Sequence, residues 1–367
     1  MTWSARSPPG ATRSAESAAT GALAWVVLGL GLALLGCGHA SEPGAIQIGI
    51  LVNLTAAEGQ STIKAAELAV DAANAAGGLE VDGRRHRVEL LYEDTRALPG
   101  EAIDGARRLV QRGVTTMLGP SRSRDAIAAA GVVENARIPM ISAASTHPET
   151  TAGRRYVFRT TFLDVAEGEA LGRFAVDALD GRSAAVLYDV ASAYNRSLAT
   201  VFRRAFEAAG GSLVAFEAYT TGDLDFSQQL ERIHATRPEI LFLPNYYEEI
   251  PRQAQQARDR GIDATLIGGD SWALLSDEGL AQVEGAFFGQ HWHLDQSESN
   301  PVGQRFVDTF RQAHGHDPSS QAALVYDSVC LLLEAVRRGG QDPDTVRNEL
   351  ALIEDYHGVT GPITFFR

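Results

Sequence analysis

Two successive stretches of this chain alternate short apolar runs with amphipathic helical segments, and that alternation restricts the fold more than any other feature. Ile46-Gln47-Ile48-Gly49-Ile50-Leu51-Val52 reads as a strand buried on both faces. Ser61 to Ala76 has helical spacing and stops at Gly77-Gly78, where a left-handed cap would end it. Val88 to Tyr92 reads as a strand, Glu101 to Gln111 as a helix, Val114 to Leu118 as a strand, Asp125 to Asn135 as a helix and Pro139 to Ser142 as a strand. Such a run forms a parallel sheet with helices over both faces.

The second stretch repeats the pattern without repeating the sequence. Strands are predicted at Ala184–Tyr188, Ser212–Tyr219, Glu239–Leu243, Thr265–Ile267 and Gly285–Phe288. Helices are predicted at Ser197–Ala209, Phe226–Thr236 and Pro251–Arg260, then at Phe306–Gln312, Gln321–Arg338 and Pro343–Ile353. A chain of 367 residues exceeds what one core usually supports. The fold class is therefore α/β, with two doubly wound parallel-sheet lobes joined by a hinge and a crevice between them. A net charge of −14 argues against nucleic acid and against electrostatic docking on anionic lipid.

The two cysteines differ in context. Cys330 lies in an apolar helical run and behaves as a small hydrophobe. Cys37 closes an apolar stretch, Gly21 to Gly36, that follows Arg6 and Arg13, the order of a signal peptide. Its setting, Leu34-Leu35-Gly36-Cys37, resembles the bacterial lipobox, which implies acylation at Cys37. Residues 1–36 are then a lipoprotein signal peptide and 37–44 a polar tether, placing the rest of the chain outside the cytoplasm on a lipid anchor.

In open parallel sheets ligands bind beyond the carboxyl ends of the strands. After Leu118 the chain runs Gly119-Pro120-Ser121-Arg122-Ser123-Arg124-Asp125 into a helix, and free amides at its positive end suit a carboxylate, with the Ser123 hydroxyl as an added donor. After Ser142 come Ala143-Ala144-Ser145-Thr146, small and hydroxyl-bearing. After Ile267 come Gly268-Gly269-Asp270, a carboxylate able to pair with an ammonium. Amide donors facing an acid fit a zwitterion. Arg122 and Arg124 read as solvated. His291-Trp292-His293 places one histidine at the crevice border, while neither that pair nor His314-Gly315-His316 makes a persuasive metal site. No nucleophile–base pair is evident, so no enzyme, cofactor or metal is expected.

From about residue 44 to 364 the chain resembles the leucine/isoleucine/valine-binding family of periplasmic proteins. The resemblance is carried by Ala65-Ala66-Glu67-Leu68-Ala69-Val70, Asn74-Ala75-Ala76-Gly77-Gly78-Leu79, Pro139 to Thr146, Tyr156-Val157-Phe158-Arg159-Thr160, Asp225-Phe226-Ser227 and Gly361-Pro362-Ile363-Thr364-Phe365. It implies the type I periplasmic binding protein fold and a monomeric substrate-binding lipoprotein that serves an ABC transporter permease. It places Ser123 on the ligand carboxylate, with Ala144 and Thr146 on the adjoining loop, Asp270 on the ammonium, and Tyr194 and Tyr246 as aromatic walls. Glu58 stands where family members often carry an aromatic, a departure that bears on an aliphatic ligand. The resemblance also implies one lobe from 45–163 plus 295–350 and another from 164–294 plus 351–367, with hinge crossings near 164, 294 and 351. The chain stops at Phe366-Arg367, ahead of the last second-lobe strand that the family's pattern carries. The alternative function on the same fold is a sensor for an amide or amino acid that signals to a membrane partner.

Overall fold

The structure, a computed structural model, describes residues 44–365. The signal segment and Cys37 lie outside the described residues. Strand β1 (Ile46–Val52) leads to α1 (Ala57–Ala75), and a small hairpin of β2 (Leu79–Val81) and β3 (Arg84–His86) precedes β4 (Val88–Asp94). Then come α2 (Pro99–Gln111), β5 (Thr116–Leu118), α3 (Ser123–Ala136), β6 (Met140–Ser142) and β7 (Val157–Arg159). These strands form one parallel sheet in the order β4-β1-β5-β6-β7. Alternate residues of β1 serve its two faces. Ile46, Ile48, Ile50 and Val52 pack in one cluster with α1, whereas Leu51 packs in another with α2 and α3. Both faces are covered, which is why β1 is apolar almost throughout.

The second half contains α4 (Asp164–Asp177), β8 (Ser183–Asp189), α5 (Ala193–Ala208), β9 (Ser212–Tyr219) and α6 (Ser227–Thr236). It continues with β10 (Ile240–Leu243), α7 (Ile250–Asp259), β11 (Thr265–Gly268), α8 (Asp277–Gln282) and β12 (Phe287–Phe288). Its sheet is again parallel, in the order β12-β11-β10-β8-β9. Helix α4 is an addition to the sequence expectation. Acids at Asp164, Glu167 and Glu169 and two glycines obscure its apolar face. The glycines are there for packing, since a Cβ at Gly168 would lie 2.8 Å from Val201 and one at Gly172 2.8 Å from the Phe206 backbone nitrogen. Helices α4 and α5 can approach only without those side chains.

The chain crosses between sheets twice among the described residues, after β7 and after β12. The two crossings touch: Thr161 Oγ1 lies 2.9 Å from His291 Nδ1. Helices α9 (Pro301–His314), α10 (Ser320–Gly339) and α11 (Pro343–Leu350), then β13 (Tyr356–Gly358) and β14 (Gly361–Ile363), complete the chain. They pack on the first sheet's cluster, α10 with fourteen buried residues. This packing sets 351–365, expected with the second lobe, against the first sheet's cluster, while 366–367 lie outside the described residues. Ile353 and Val359 are buried in the first cluster, with Tyr356, Ile363 and Phe365 packed against it. The buried Asp327 of α10 accepts hydrogen bonds from the Val359 amide at 2.7 Å and from the Thr360 amide and hydroxyl at 2.8 and 2.7 Å. A third crossing near 351 is therefore not found among the described residues. Cys330 on α10 is a free thiol pushed up to about 12 by burial. No helix among the described residues is long and apolar enough to cross a membrane.

Candidate functional site

Loops at the carboxyl ends of both sheets meet around a cavity of about 520 Å³, counting its open mouth. On the first sheet, Gly119 follows β5 with φ +87° and lies so close to β1 that a Cβ would stand 2.2 Å from the Leu51 carbonyl oxygen. That turn feeds Ser121, Arg122 and Ser123 into the start of α3, whose positive dipole end lies at the cavity wall. The Ser123 Oγ accepts from Ser145 Oγ at 3.0 Å, and Ser145 also lies 2.6 Å from Thr150 Oγ1. Ser145 thus sits behind the wall and orients Ser123, leaving the Ser123 proton free to donate. Ala144 and Thr146, on either side of it, line the cavity directly.

On the second sheet, Asp270 follows β11 and Gly269. Its Oδ1 accepts from the Tyr194 hydroxyl at 2.7 Å, and its Oδ2 lies 2.9 Å from His291 Nε2. Burial works against the Asp270 charge, but the bonds from His291 and Tyr194 prevail and hold its carboxyl below the ordinary range. The Asp270 amide donates to Glu167 Oε1 at 2.6 Å. Glu167 is buried, and burial together with the Asp270 charge pushes its carboxyl well above the usual value. Replacing it with glutamine keeps shape and acceptor, and Glu167→Gln is expected to move the melting temperature by less than about 2 °C, while Glu167→Ala opens a buried gap and lowers it several-fold more. Thermal melts of the two variants check this.

Tyr246 is aimed by its neighbour. Asn245, fully buried, donates to the Leu187 carbonyl and to Gln253 Oε1, both at 2.8 Å, and accepts from Asn195 Nδ2 at 2.8 Å. The Tyr246 ring lies 5.2 Å from that of Tyr194 and carries the Arg122 guanidinium 4.6 Å from its centre. An unbroken row of contacts therefore runs His291, Asp270, Tyr194, Tyr246, Arg122, Glu58.

Arg122, read from sequence as solvated, is a cavity residue. Its Nε donates to Glu58 Oε1 at 2.8 Å and its Nη2 to Glu248 across the gap. Burial opposes its charge, yet the carboxylates of Glu248 and Glu58 outweigh it and keep the guanidinium firmly protonated. Tyr247 donates to Glu58 Oε2 at 2.5 Å and accepts from the Ala57 amide at 3.1 Å. These bonds join the first sheet's loops to the second's. From α10, Gln321 Nε2 reaches the Glu58 carbonyl at 2.7 Å and Ser121 Oγ at 3.0 Å.

Of the residues singled out in the sequence, Glu58, Ser123, Ala144, Thr146, Tyr194, Tyr246 and Asp270 line this one cavity, and Ser145 does not. Sequence reasoning missed Ser121, Tyr247, Ser271, Ala273, Leu274, Ser320 and Gln321. His291 reaches the cavity, whereas Trp292 is buried in the first cluster and His293 caps the turn that follows through Asp295 N.

Buried acids, Glu167 and Asp327 among them, set a pH dependence. Burial raises Asp125 to about 6, Asp164 to about 7 and Glu249 to about 7. Unfolded carboxyls titrate near about 4. Each group therefore holds a proton in the folded state that the unfolded state has released, and stability falls as pH rises from about 4 through 7. His147 and His314, lowered by burial, act in the opposite sense below their ordinary 6.5, through smaller shifts. The melting temperature at pH 5.5 is expected to exceed that at pH 8 by on the order of 5 °C. Equal or inverted melting temperatures would contradict the burial argument.

Two parallel α/β halves whose strand ends meet at one cavity define the type I periplasmic binding protein fold. Residues 45–367 match the profile of the family described as periplasmic binding protein, and the chain belongs to that family. It is similar to the leucine-, isoleucine-, valine-, threonine- and alanine-binding protein of Pseudomonas aeruginosa, at 27% identity over 77% of this chain and 75% of that one. Among solved structures it is similar to the leucine-binding protein LivK of Thermotoga maritima, with TM-score 0.81 and 30% identity over 87% of this chain and 91% of that one. It is likewise similar to the branched-chain amino-acid transporter substrate-binding protein LivJ of Streptococcus pneumoniae, solved with isoleucine, with TM-score 0.80 and 31% identity over 88% and 92%. Each of these names describes a binding protein, and substrate binding is the activity the family supports.

Proposed function

We propose that this chain is the extracytoplasmic substrate-binding lipoprotein of an ABC transporter, and that it captures an amino acid between its lobes for delivery to the permease. The observation that carries the reading is the pairing of donors and acid across one cavity. Ser123 at the start of α3 faces the ligand carboxylate, and the charged Asp270 faces its ammonium. Ala144 and Thr146 complete the carboxylate side, and Tyr194 and Tyr246 close over the solute. The ligands named for the relatives, which include leucine, isoleucine, valine, threonine and alanine, support the amino-acid class.

The lobes are residues 45–163 with 295–365, and 164–294, and they turn about the two touching crossings. A ligand held by both halves exists only in the closed arrangement, so binding shifts the population toward it. Acylation at Cys37 anchors the chain, which acts as a monomer. Calorimetry of the purified protein against the common amino acids tests the main claim, and silence across the whole panel sinks it. Metabolic labelling with a fatty acid, comparing the wild type with Cys37→Ala, tests the anchor separately.

A further inference from the structure

We propose that the cavity end remote from Asp270 receives a neutral, hydrogen-bonding side chain, a hydroxyl or a carboxamide, in place of a hydrocarbon one. This rests on the amino-acid reading above and specifies its ligand. Following the row of contacts away from Asp270, Glu58, Ser121, Arg122, Tyr247 and Gln321 form one bonded group in the wall; Ser320, Ala273 and Leu274 also line the cavity. All five of the bonded group carry polar side chains, and Ala273 and Leu274 are aliphatic residues in the same lining. A branched aliphatic chain needs the opposite lining.

The charges exclude the ionised alternatives. Arg122 is the one cation in this group and already faces two carboxylates, Glu58 and Glu248. A third carboxylate, brought by an acidic ligand, would have to displace Glu58 from the guanidinium. Glu58 is shared between Arg122 on Oε1 and Tyr247 on Oε2, and a cationic ligand would have to sit against the Arg122 guanidinium to reach it. What the wall retains is neutral hydrogen-bonding capacity. Ser320 Oγ accepts from the Trp292 amide at 3.1 Å and Ser121 Oγ from Gln321 Nε2 at 3.0 Å, so each hydroxyl keeps a proton to donate. Gln321, whose nitrogen is spent on Glu58, Thr62 and Ser121, offers its carbonyl oxygen as an acceptor. Donors and an acceptor side by side match a group that both accepts and donates. A hydrocarbon chain would cover them with no replacement partner, and sites built to bond a polar group discriminate strongly against analogues lacking it.

The test is competition calorimetry on the purified full-length chain. It compares serine, threonine, asparagine and glutamine with alanine, valine, leucine and isoleucine, and with aspartate, glutamate and lysine. The expected result is a neutral polar amino acid bound at least tenfold more tightly than any aliphatic or charged one. Tightest binding of leucine, isoleucine or valine, or of a charged amino acid, overturns the proposal while leaving the amino-acid reading intact. Silence of every amino acid overturns the reading itself, and the proposal with it. In the doubly substituted Ser320→Ala, Gln321→Leu chain, the ratio of polar-ligand to leucine affinity is expected to fall tenfold or more. A ratio taken on one folded sample does not depend on how much of the sample is folded, and an unchanged ratio removes these two residues from the assignment.

Discussion

Asp270→Ala is expected to weaken amino-acid binding by roughly a hundred- to several-thousand-fold, whereas Ser123→Ala costs about fivefold. Asp270 is enclosed and ionised, and its carboxyl is held by Tyr194 at 2.7 Å and His291 at 2.9 Å. An ammonium seated there has left water, and removing its counter-charge costs about 3–5 kcal/mol. The Ser123 hydroxyl gives one neutral hydrogen bond, worth about 1 kcal/mol net, and the α3 dipole remains behind it. Asp270→Asn separates charge from shape, because its carbonyl still accepts from Tyr194. It is expected to bind nearly as poorly as the alanine variant and to melt closer to the wild type. Calorimetry with melting curves decides the matter, and an Asp270→Asn chain with wild-type affinity would falsify the ammonium assignment.

Gly119→Ala is expected to be strongly damaging, because backbone conformation and space both forbid the added methyl. At φ +87° a side chain costs about 1–2 kcal/mol on its own. The added carbon would also lie 2.2 Å from the Leu51 carbonyl oxygen, in the strand that pairs with β5. Relief requires parting β1 from β5 or moving the loop that presents Ser121 to Ser123. The expected loss is about 4 kcal/mol or more, in the range reserved for steric conflict in a core, with ligand binding lost alongside. Gly131 provides the contrast, since it lies in α3 and a Cβ added there would meet no atom within 4 Å. Gly131→Ala is expected to stabilise by about 0.5–1 kcal/mol. Urea midpoints of the two variants should move in opposite directions.

The alternation of apolar runs and helices was enough to order the elements and to place most strands within a few residues. It failed at α4, where Gly168 and Gly172 serve close helix contact and Asp164 and Glu167 are buried, so the segment lacks the apolar stripe that marks a helix. The packing of the terminal segment was illegible for a related reason. Whether Val359 and Phe365 join the first or the second core depends on bonds to Asp327, a partner some thirty residues away that no local pattern reveals. At the site, residues that directly follow strands were legible, because strand ends converge. Arg122 was misjudged since its counter-charges, Glu58 and Glu248, come from sequence positions 64 and 126 residues distant. Ser320 and Gln321 gave no signal at all. They open an apolar helix, where a serine and a glutamine read simply as an N-terminal cap.

The segment that returns the chain from the second sheet to the first carries His291, which touches Thr161 on the outgoing segment and Asp270 at the charged end of the cavity. On the proposed closure, pivot and electrostatic lock share one imidazole. On the proposed ammonium site, a solute's positive group arriving at Asp270 would contend with that imidazole for the carboxylate, and occupancy would reach the crossings without any relay through the cores. The proposed function thus puts the part that would turn and the part that would sense the load on one residue.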